Sequence, residues 1–220
     1  PSLSPYAYCA NNPVCNVDLD GKKAIRIIDE GNKTVTIKAD YYVVTSDIGS
    51  LYSETKIVPG YSLSEIEELN NSISKHLNNL GLVVTNGEYS GYSVVFDLTF
   101  IGADQVKAEA MATADNFEGF NIGNTFRRGD KTNHRLRREE HPDGSYTAVG
   151  GITHLKTAIL MNIDFDTQMN RLHEIFHTFG FDDEQNAKGI MSYSPQNPNE
   201  KDVEILMTTP YMPTLKKPIQ

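Results

Sequence analysis

Cysteine is scarce in this chain of 220 residues: only Cys9 and Cys15 are present, both in the first segment. A small domain held together by disulfides has cysteines throughout its length, so the body of this chain is not such a scaffold. The sequence also lacks any run of about 18 apolar residues, which a membrane-spanning helix would need. Its 39% of hydrophobic residues is enough for a globular core.

Positive charge is also in short supply. The chain has 20 lysines and arginines against 29 acidic residues, for a formal net charge of −9. A broad phosphate-binding surface needs clustered cations, so we expect no nucleic-acid partner. A local group of arginines between Arg127 and Arg138 lies in a polar, glycine-rich stretch. We expect a solvent-exposed loop there.

The spacing of apolar residues predicts an α+β domain. Alternation with a period of two is typical of strands, whereas a spacing of three and four is typical of amphipathic helices. Apart from one short helix, we expect residues 102–146 to form loops. The expected strands are 24–28, 34–44, 94–100 and 155–163, and the expected helices are 62–80, 106–111, 168–179 and 199–207.

The helix at 168–179 carries the residues of a metal site. His173 and His177 are four residues apart, so they stand on one side of the helix and can bind one ion. Glu174 can contact a metal-bound water without being a ligand. Gly180 can adopt a left-handed conformation and turn the chain, which brings Asp183 back as a third ligand. The fourth coordination position then stays open to water.

Several alternatives remain open at this helix. Asp182 is adjacent to Asp183 and competes with it as the third ligand, although the spacing from Gly180 favours Asp183. Either Asp166 or Thr167 caps the helix start. Two other interpretations of the histidines are possible. They are either buried, hydrogen-bonded core residues or ligands of a structural zinc, but structural zinc sites usually have four protein ligands.

The pattern His173-Glu174-Ile175-Phe176-His177, with Gly180, Asp183 and the later run Gly189-Ile190-Met191-Ser192-Tyr193, resembles the metzincin metallopeptidases and their methionine turn. The resemblance covers about residues 23–210, within a domain that we place at 23–220. It implies a zincin fold: a twisted mixed β-sheet with a long backing helix, an active-site helix and a C-terminal helix. One zinc ion per chain would be held by His173, His177 and Asp183, with Glu174 as the catalytic base.

Two further residues take their roles from this resemblance. It makes Met191 the hydrophobic floor beneath the metal, and it places Tyr193 near the zinc, where the phenol helps to stabilise the oxyanion. A packed loop aromatic is the alternative for Tyr193. Asp183 stands where most of the family has a third histidine, and its negative charge should make the metal a weaker Lewis acid.

Residues 4–22, which include Pro5-Tyr6-Ala7-Tyr8 and Asp18-Leu19-Asp20-Gly21, resemble the end of an RHS repeat-associated core. In that family this segment joins a large shell to a variable C-terminal toxin, although Leu19 replaces the usual proline. The resemblance implies a bacterial toxin domain that is exported as part of a larger parent chain and delivered into target cells. The RHS shell and a cognate immunity protein would be its partners. The sequence leaves open whether Cys9 and Cys15 pair. It also leaves open whether Cys15 or an aspartate of this segment ligates the zinc in the uncleaved chain and keeps it inactive.

The expected activity is hydrolysis of peptide bonds in a protein or peptide substrate by a metal-activated water. A non-catalytic binding module on the same scaffold is one alternative, but it would have no need of Glu174. A metal-dependent amidase acting on cell-wall peptides is another, because fold and metal define the reaction type better than the substrate.

Overall fold

The computed structural model describes residues 23–50, 53–114, 117–130, 133–140, 142, 146–183, 185, 188–192 and 194–218. Over these residues the protein is α+β, with a curled mixed sheet and four α-helices. The strands are β1 (Ile25–Asp29), β2 (Thr34–Val44), β3 (Ile48–Ser50), β4 (Ser53–Val58), β5 (Ser93–Ala103), β6 (Gly123–Gly129), β7 (Arg137–Glu140), β8 (Tyr146–Ala148), β9 (Gly151–His154), β10 (Ala158–Asn162) and β11 (Thr214–Lys216). The helices are α1 (Leu63–Asn79), α2 (Gln105–Ala112), α3 (Gln168–Thr178) and α4 (Glu200–Thr208).

The main sheet has seven strands and is built around β2. One side of β2 pairs along its whole length with the parallel strand β5. The other side pairs first with the antiparallel β1 and then with the parallel β6. Beyond β6 come β10, which is parallel to it, and β9, which is antiparallel to β10. β9 therefore forms one edge of the sheet, and no further strand pairs with it among the described residues.

Another edge strand of the sheet, β5, is covered by side chains of α1. Asn70 and Asn78 each exchange two hydrogen bonds with the backbone of β5, at Phe100 and Phe96 respectively, over 2.7–3.0 Å. Ser74, which lies midway between them, bonds in the same way to Leu98. A spacing of four residues on a helix places the three polar groups in one row, and this row occupies backbone groups that an edge strand would otherwise expose.

Most of the elements expected from periodicity are present. The hairpin of β1 and β2, helix α1 and strand β5 agree with the expected ranges to within a few residues, and α2, α3 and α4 to within one. Ser62 caps α1 in a capping box with Glu65, which explains the sharp start of that helix. None of the described helices combines the length and the apolar content needed to cross a bilayer. The stretch 1–22, with Cys9 and Cys15, lies outside the described residues.

The expectation of loops after α2 is wrong for β6, which lies inside the main sheet between β2 and β10. Its two arginines obscured the strand pattern. Arg127 is half-buried and Arg128 is almost fully buried, so neither lies in a solvent-exposed loop. The expected strand 155–163 is also too long, because Leu155 lies in the turn between β9 and β10. The small and polar residues of β9 gave no periodic signal.

Arg128 is accommodated by a buried charge cluster. It contacts Asp166 at 2.9 Å and Glu65 at 2.7 Å, and its guanidinium lies 3.8 Å from the centre of the Tyr61 ring. Asp166 also accepts hydrogen bonds from the Tyr61 hydroxyl, at 2.8 Å, and from Arg171 of α3. The cluster therefore ties β6 and the start of α1 to the start of α3.

We expect Arg128→Met to lower the free energy of unfolding by about 2 kcal/mol, because it removes two charge-assisted hydrogen bonds and leaves the buried Asp166 with Arg171 as its one cation among the described contacts. Arg127→Met is the matched control. Arg127 is the neighbouring residue and shows no ion pair in the described part of the chain, so its replacement should change stability by less than about 1 kcal/mol. Urea unfolding of both variants measures the difference, and equal losses would show that the cluster contributes little.

Candidate metal centre

Helix α3 presents different chemistry on its two sides. Leu172, Ile175 and Phe176 are fully buried in the main core, while His173 and His177 border an open cleft. Thr167 is the N-cap, and its hydroxyl accepts from an amide of the first turn. Asp166, the other candidate for the cap, instead contacts Arg128 and Arg171 in the charge cluster. The amphipathic pattern therefore fixes which side of the helix faces the cleft.

The structure brings His173, His177 and Asp183 together. Each histidine Nε2 lies 3.4 Å from Oδ1 of Asp183, and the three donor atoms all lie within 4.8 Å of one another. Both histidine side chains are mostly buried, whereas the Asp183 side chain is 68% exposed. The three candidate ligands therefore converge at the surface of the cleft, with one side open to solvent.

The hydrogen bonds of the imidazoles define their tautomers. Nδ1 of His173 lies 2.9 Å from the Ile190 carbonyl oxygen, and Nδ1 of His177 lies 2.9 Å from that of Phe181. A carbonyl oxygen can only accept, so both Nδ1 atoms carry a proton, and in the neutral form of each ring Nε2 is the nitrogen with the lone pair. Burial lowers the pKa of His177 and favours this neutral form.

This donor set fits a zinc ion. Two ligands at about 2.1 Å from a tetrahedral metal lie about 3.4 Å apart, which equals both nitrogen-to-carboxylate distances. Two neutral imidazoles and a carboxylate also match the ligand types that zinc accepts, with Nδ1 held by the protein backbone as in known zinc sites. The residues present can therefore hold one such ion.

The structure distinguishes the two neighbouring aspartates. Asp182 contacts the Lys156 ammonium at 2.7 Å, whereas Asp183 approaches both histidines. Gly180 has the expected left-handed conformation, with φ +95°, and a Cβ there would lie 2.5 Å from the Cβ of Tyr211. This tight glycine turn directs Asp183, and not Asp182, towards the histidines.

The predicted methionine turn lies next to the site. Ile190, whose carbonyl accepts from His173, and Met191 are both buried in the main core. The backbone N–H of Ile190 is held by the buried carboxylate of Asp202 at 3.4 Å, and this carboxylate also caps the start of α4 through Asn199. The turn thus links α4 to the first histidine. Tyr193 lies outside the described residues, and its role stays a prediction.

Glu174 is almost completely buried against β9. Thr153 Oγ1 lies 2.7 Å from Oε2 of Glu174, and a Cβ on Gly151 would lie 2.8 Å from the glutamate Cγ. Burial raises the pKa of Glu174 to about 8; the Thr153 hydrogen bond opposes this rise and the charge of Asp183 adds to it. The absence of a side chain at Gly151 leaves the space that the glutamate occupies.

No sequence pattern pointed to Thr153 or Gly151, because only the pairing of β9 with β10 brings them beside α3. The pair Gly150-Gly151 was the available signal, since glycines in a strand often mark a close approach of another group. The cleft at this point has a volume of about 590 Å³. It is bounded by β9 and α3, and its other lining residues include Arg135, Asp183, Ser192 and Pro195.

Comparison of the chain with known protein families, with curated proteins and with solved structures gives no match. The interpretation of the site therefore depends on its motif and its geometry.

We expect the purified protein to bind about one zinc ion per chain, and His177→Ala to lose it because one of three ligands is removed. The control is His76→Ala. His76 lies on α1, contacts Asn197 and, among the described residues, is not grouped with the three candidate ligands. Elemental analysis after zinc loading and desalting measures the content. Zinc that persists in His177→Ala would place the ion elsewhere.

The two aspartates should differ in the same assay. Asp183→Asn removes a charged ligand and should weaken zinc binding strongly, by about a hundredfold or more. Asp182→Asn removes only a charge that faces Lys156 and should have a smaller effect, of about tenfold or less. Competition with a coloured chelator gives both dissociation constants. If Asp182→Asn weakened zinc binding more than Asp183→Asn did, Asp182 would be the ligand.

Proposed function

We propose that the protein is a zinc-dependent endopeptidase of the metzincin type. The observation that carries this proposal is the convergence of His173, His177 and Asp183 beside the buried Glu174, in an open cleft below an edge strand. A structural zinc site would be closed by four protein ligands. Here the described residues supply three, and the fourth side faces the cleft.

The chain's own residues account for the expected chemistry. Zinc in this set would supply a Lewis acid that lowers the pKa of water and polarises a carbonyl oxygen. Glu174 would accept the proton of the attacking water and return it to the leaving amine. Thr153 holds one carboxylate oxygen of Glu174, at 2.7 Å. The other oxygen is then left for proton transfer.

The edge strand β9 suits an extended peptide substrate. It runs along the cleft, and no other described strand pairs with its outer side. An extended chain can add to such an edge through backbone hydrogen bonds that do not depend on sequence. The order of the elements supports the proposal. The edge strand β9 beside the cleft, the helix with the two histidines, the turn at Ile190 and Met191, and the last helix α4 follow one another as the resemblance to the metzincins implies.

The resemblance of residues 4–22 to an RHS core supports a biological setting for this activity. We propose that the domain is the C-terminal toxin of a larger exported bacterial protein, with the RHS shell and an immunity protein as its partners. The protein or peptide substrate would then belong to a competing cell. Expression of the domain inside bacteria should be toxic, and a harmless domain with full peptidase activity would argue against this setting.

Glu174→Gln should keep its zinc and lose peptidase activity by about 10²–10⁴-fold, because the amide cannot accept the proton. The side chain keeps its size, so the fold and the contact with Thr153 should persist. The measurement pairs turnover of a fluorogenic peptide mixture with zinc content. Activity equal to the wild type would exclude Glu174 as the base.

The substrate class needs a separate comparison. Unfolded casein and purified cell-wall peptides, incubated side by side with the wild type and with Glu174→Gln, distinguish an endopeptidase from a cell-wall amidase. Cleavage of casein alone supports the proposal, and cleavage of the cell-wall peptide alone supports the amidase. A zinc-loaded protein that cleaves neither would favour a binding module.

A further inference from the structure

The turn between β9 and β10 has an unusual backbone. Leu155 and Lys156 both have left-handed conformations, with φ values of +50° and +56°. The turn is closed by a 3.1 Å hydrogen bond from the Thr157 amide to the His154 carbonyl. Two consecutive positive φ values are typical of type I′ turns, where asparagine and glycine are the usual residues. Leucine and lysine adopt this conformation reluctantly.

Packing of Leu155 does not explain this conformation, because its side chain is 74% exposed. The contacts of Lys156 explain the left-handed conformation of the turn. Its ammonium donates to the carbonyl oxygens of Gly180 and Phe181, at 2.9 and 3.3 Å, and to the carboxylate of Asp182, at 2.7 Å. An ammonium has three donors, and all three are used. The same group also lies 4.4 Å from the centre of the Tyr211 ring.

The acceptors of Lys156 belong to the segment that joins the second histidine to the third ligand. Carbonyl groups just beyond the end of a helix have no partner within the helix, and a cation near that end is favourable. The Phe181 carbonyl also accepts from Nδ1 of His177. The Phe181 carbonyl therefore connects Lys156 with the candidate ligand His177, two residues before Asp183.

We propose that Lys156 is a positioning residue of the metal centre, which fixes residues 180–182 so that Asp183 meets the two histidines. It touches neither the metal position nor a substrate in the described contacts, and it acts through the backbone and Asp182. This inference rests on the proposed metal site, but it adds a residue that the His-Glu-x-x-His pattern does not contain.

The proposal can be tested because the charge of Lys156 and its positioning role predict opposite changes in zinc affinity when Lys156 is removed. The positive charge of Lys156 opposes positive charge at His177, so as a bare charge it repels a metal ion. If charge were its only effect, removing Lys156 would strengthen zinc binding. If Lys156 positions Asp183, removing it weakens zinc binding.

The test variant is Lys156→Gly. Glycine suits a turn with positive φ, so the turn should form while the ammonium contacts are lost. The matched control is Lys38→Met. The Lys38 side chain is 19% exposed, against 21% for Lys156, and it makes a similar ion pair with Asp97 at 2.6 Å on a different pair of strands. Lys156→Arg, which keeps a charged donor, tests for rescue.

Zinc dissociation constants are measured by chelator competition, and urea unfolding of the metal-free proteins shows that each variant folds. We expect Lys156→Gly to raise the dissociation constant about 10–100-fold, as is usual for residues that orient metal ligands. Lys38→Met should change it less than about twofold, and Lys156→Arg should recover most of the loss. Cobalt spectra should report a changed ligand set in Lys156→Gly alone.

Two failures are distinguishable. If the wild type binds zinc and Lys156→Gly binds it equally or more tightly, the positioning role of Lys156 is wrong and the proposed site stands. If the wild type binds no zinc, the proposed metal site itself fails. If Lys156→Gly does not fold, the same comparison with Lys156→Met shows whether loss of the ammonium group weakens or strengthens zinc binding.

Discussion

The position of α3 against the sheet is the constraint on which the candidate site depends. Leu172 and Phe176 bury one side of the helix, so the histidines on its other side have to face the cleft. The start of the helix is held by the Asp166 cluster, and the segment after it by Lys156. A helix fixed at both ends keeps its ligands in place without a bound ion, which lowers the ordering entropy lost on binding.

The hairpin of β9 and β10 serves several parts of the site at once. Gly151 and Thr153 form the wall against which Glu174 lies, and Lys156 at the tip contacts the segment before Asp183. The outer edge of β9 is also the surface proposed for the substrate. The proposed base, the candidate third ligand and the proposed substrate edge thus all depend on one short hairpin. A shift of this hairpin would disturb all three together.

Two of the edge strands of the sheet, β5 and β9, differ in a way that agrees with this use. Asn70, Ser74 and Asn78 of α1 occupy the backbone groups of β5, which blunts an edge that could otherwise pair with another chain. β9 has no such cover from another described strand. The candidate ligand set has its own consequence. Asp183 supplies a negative charge, so a divalent ion bound there would keep less residual positive charge than one bound by three neutral histidines.

The sequence by itself determined the local elements and the order of the site. Periodicity predicted α1, α3 and β5, and the spacing of His173, His177 and Gly180 predicted their placement, because these signals act within one or two helical turns. Tertiary structure alone decided what depends on distant pairing. It made β6 an internal strand by matching Arg128 with Glu65 and Asp166, which are 63 and 38 residues away. It also separated Asp183 from Asp182 through Lys156, since no local pattern reports which charges meet across a fold.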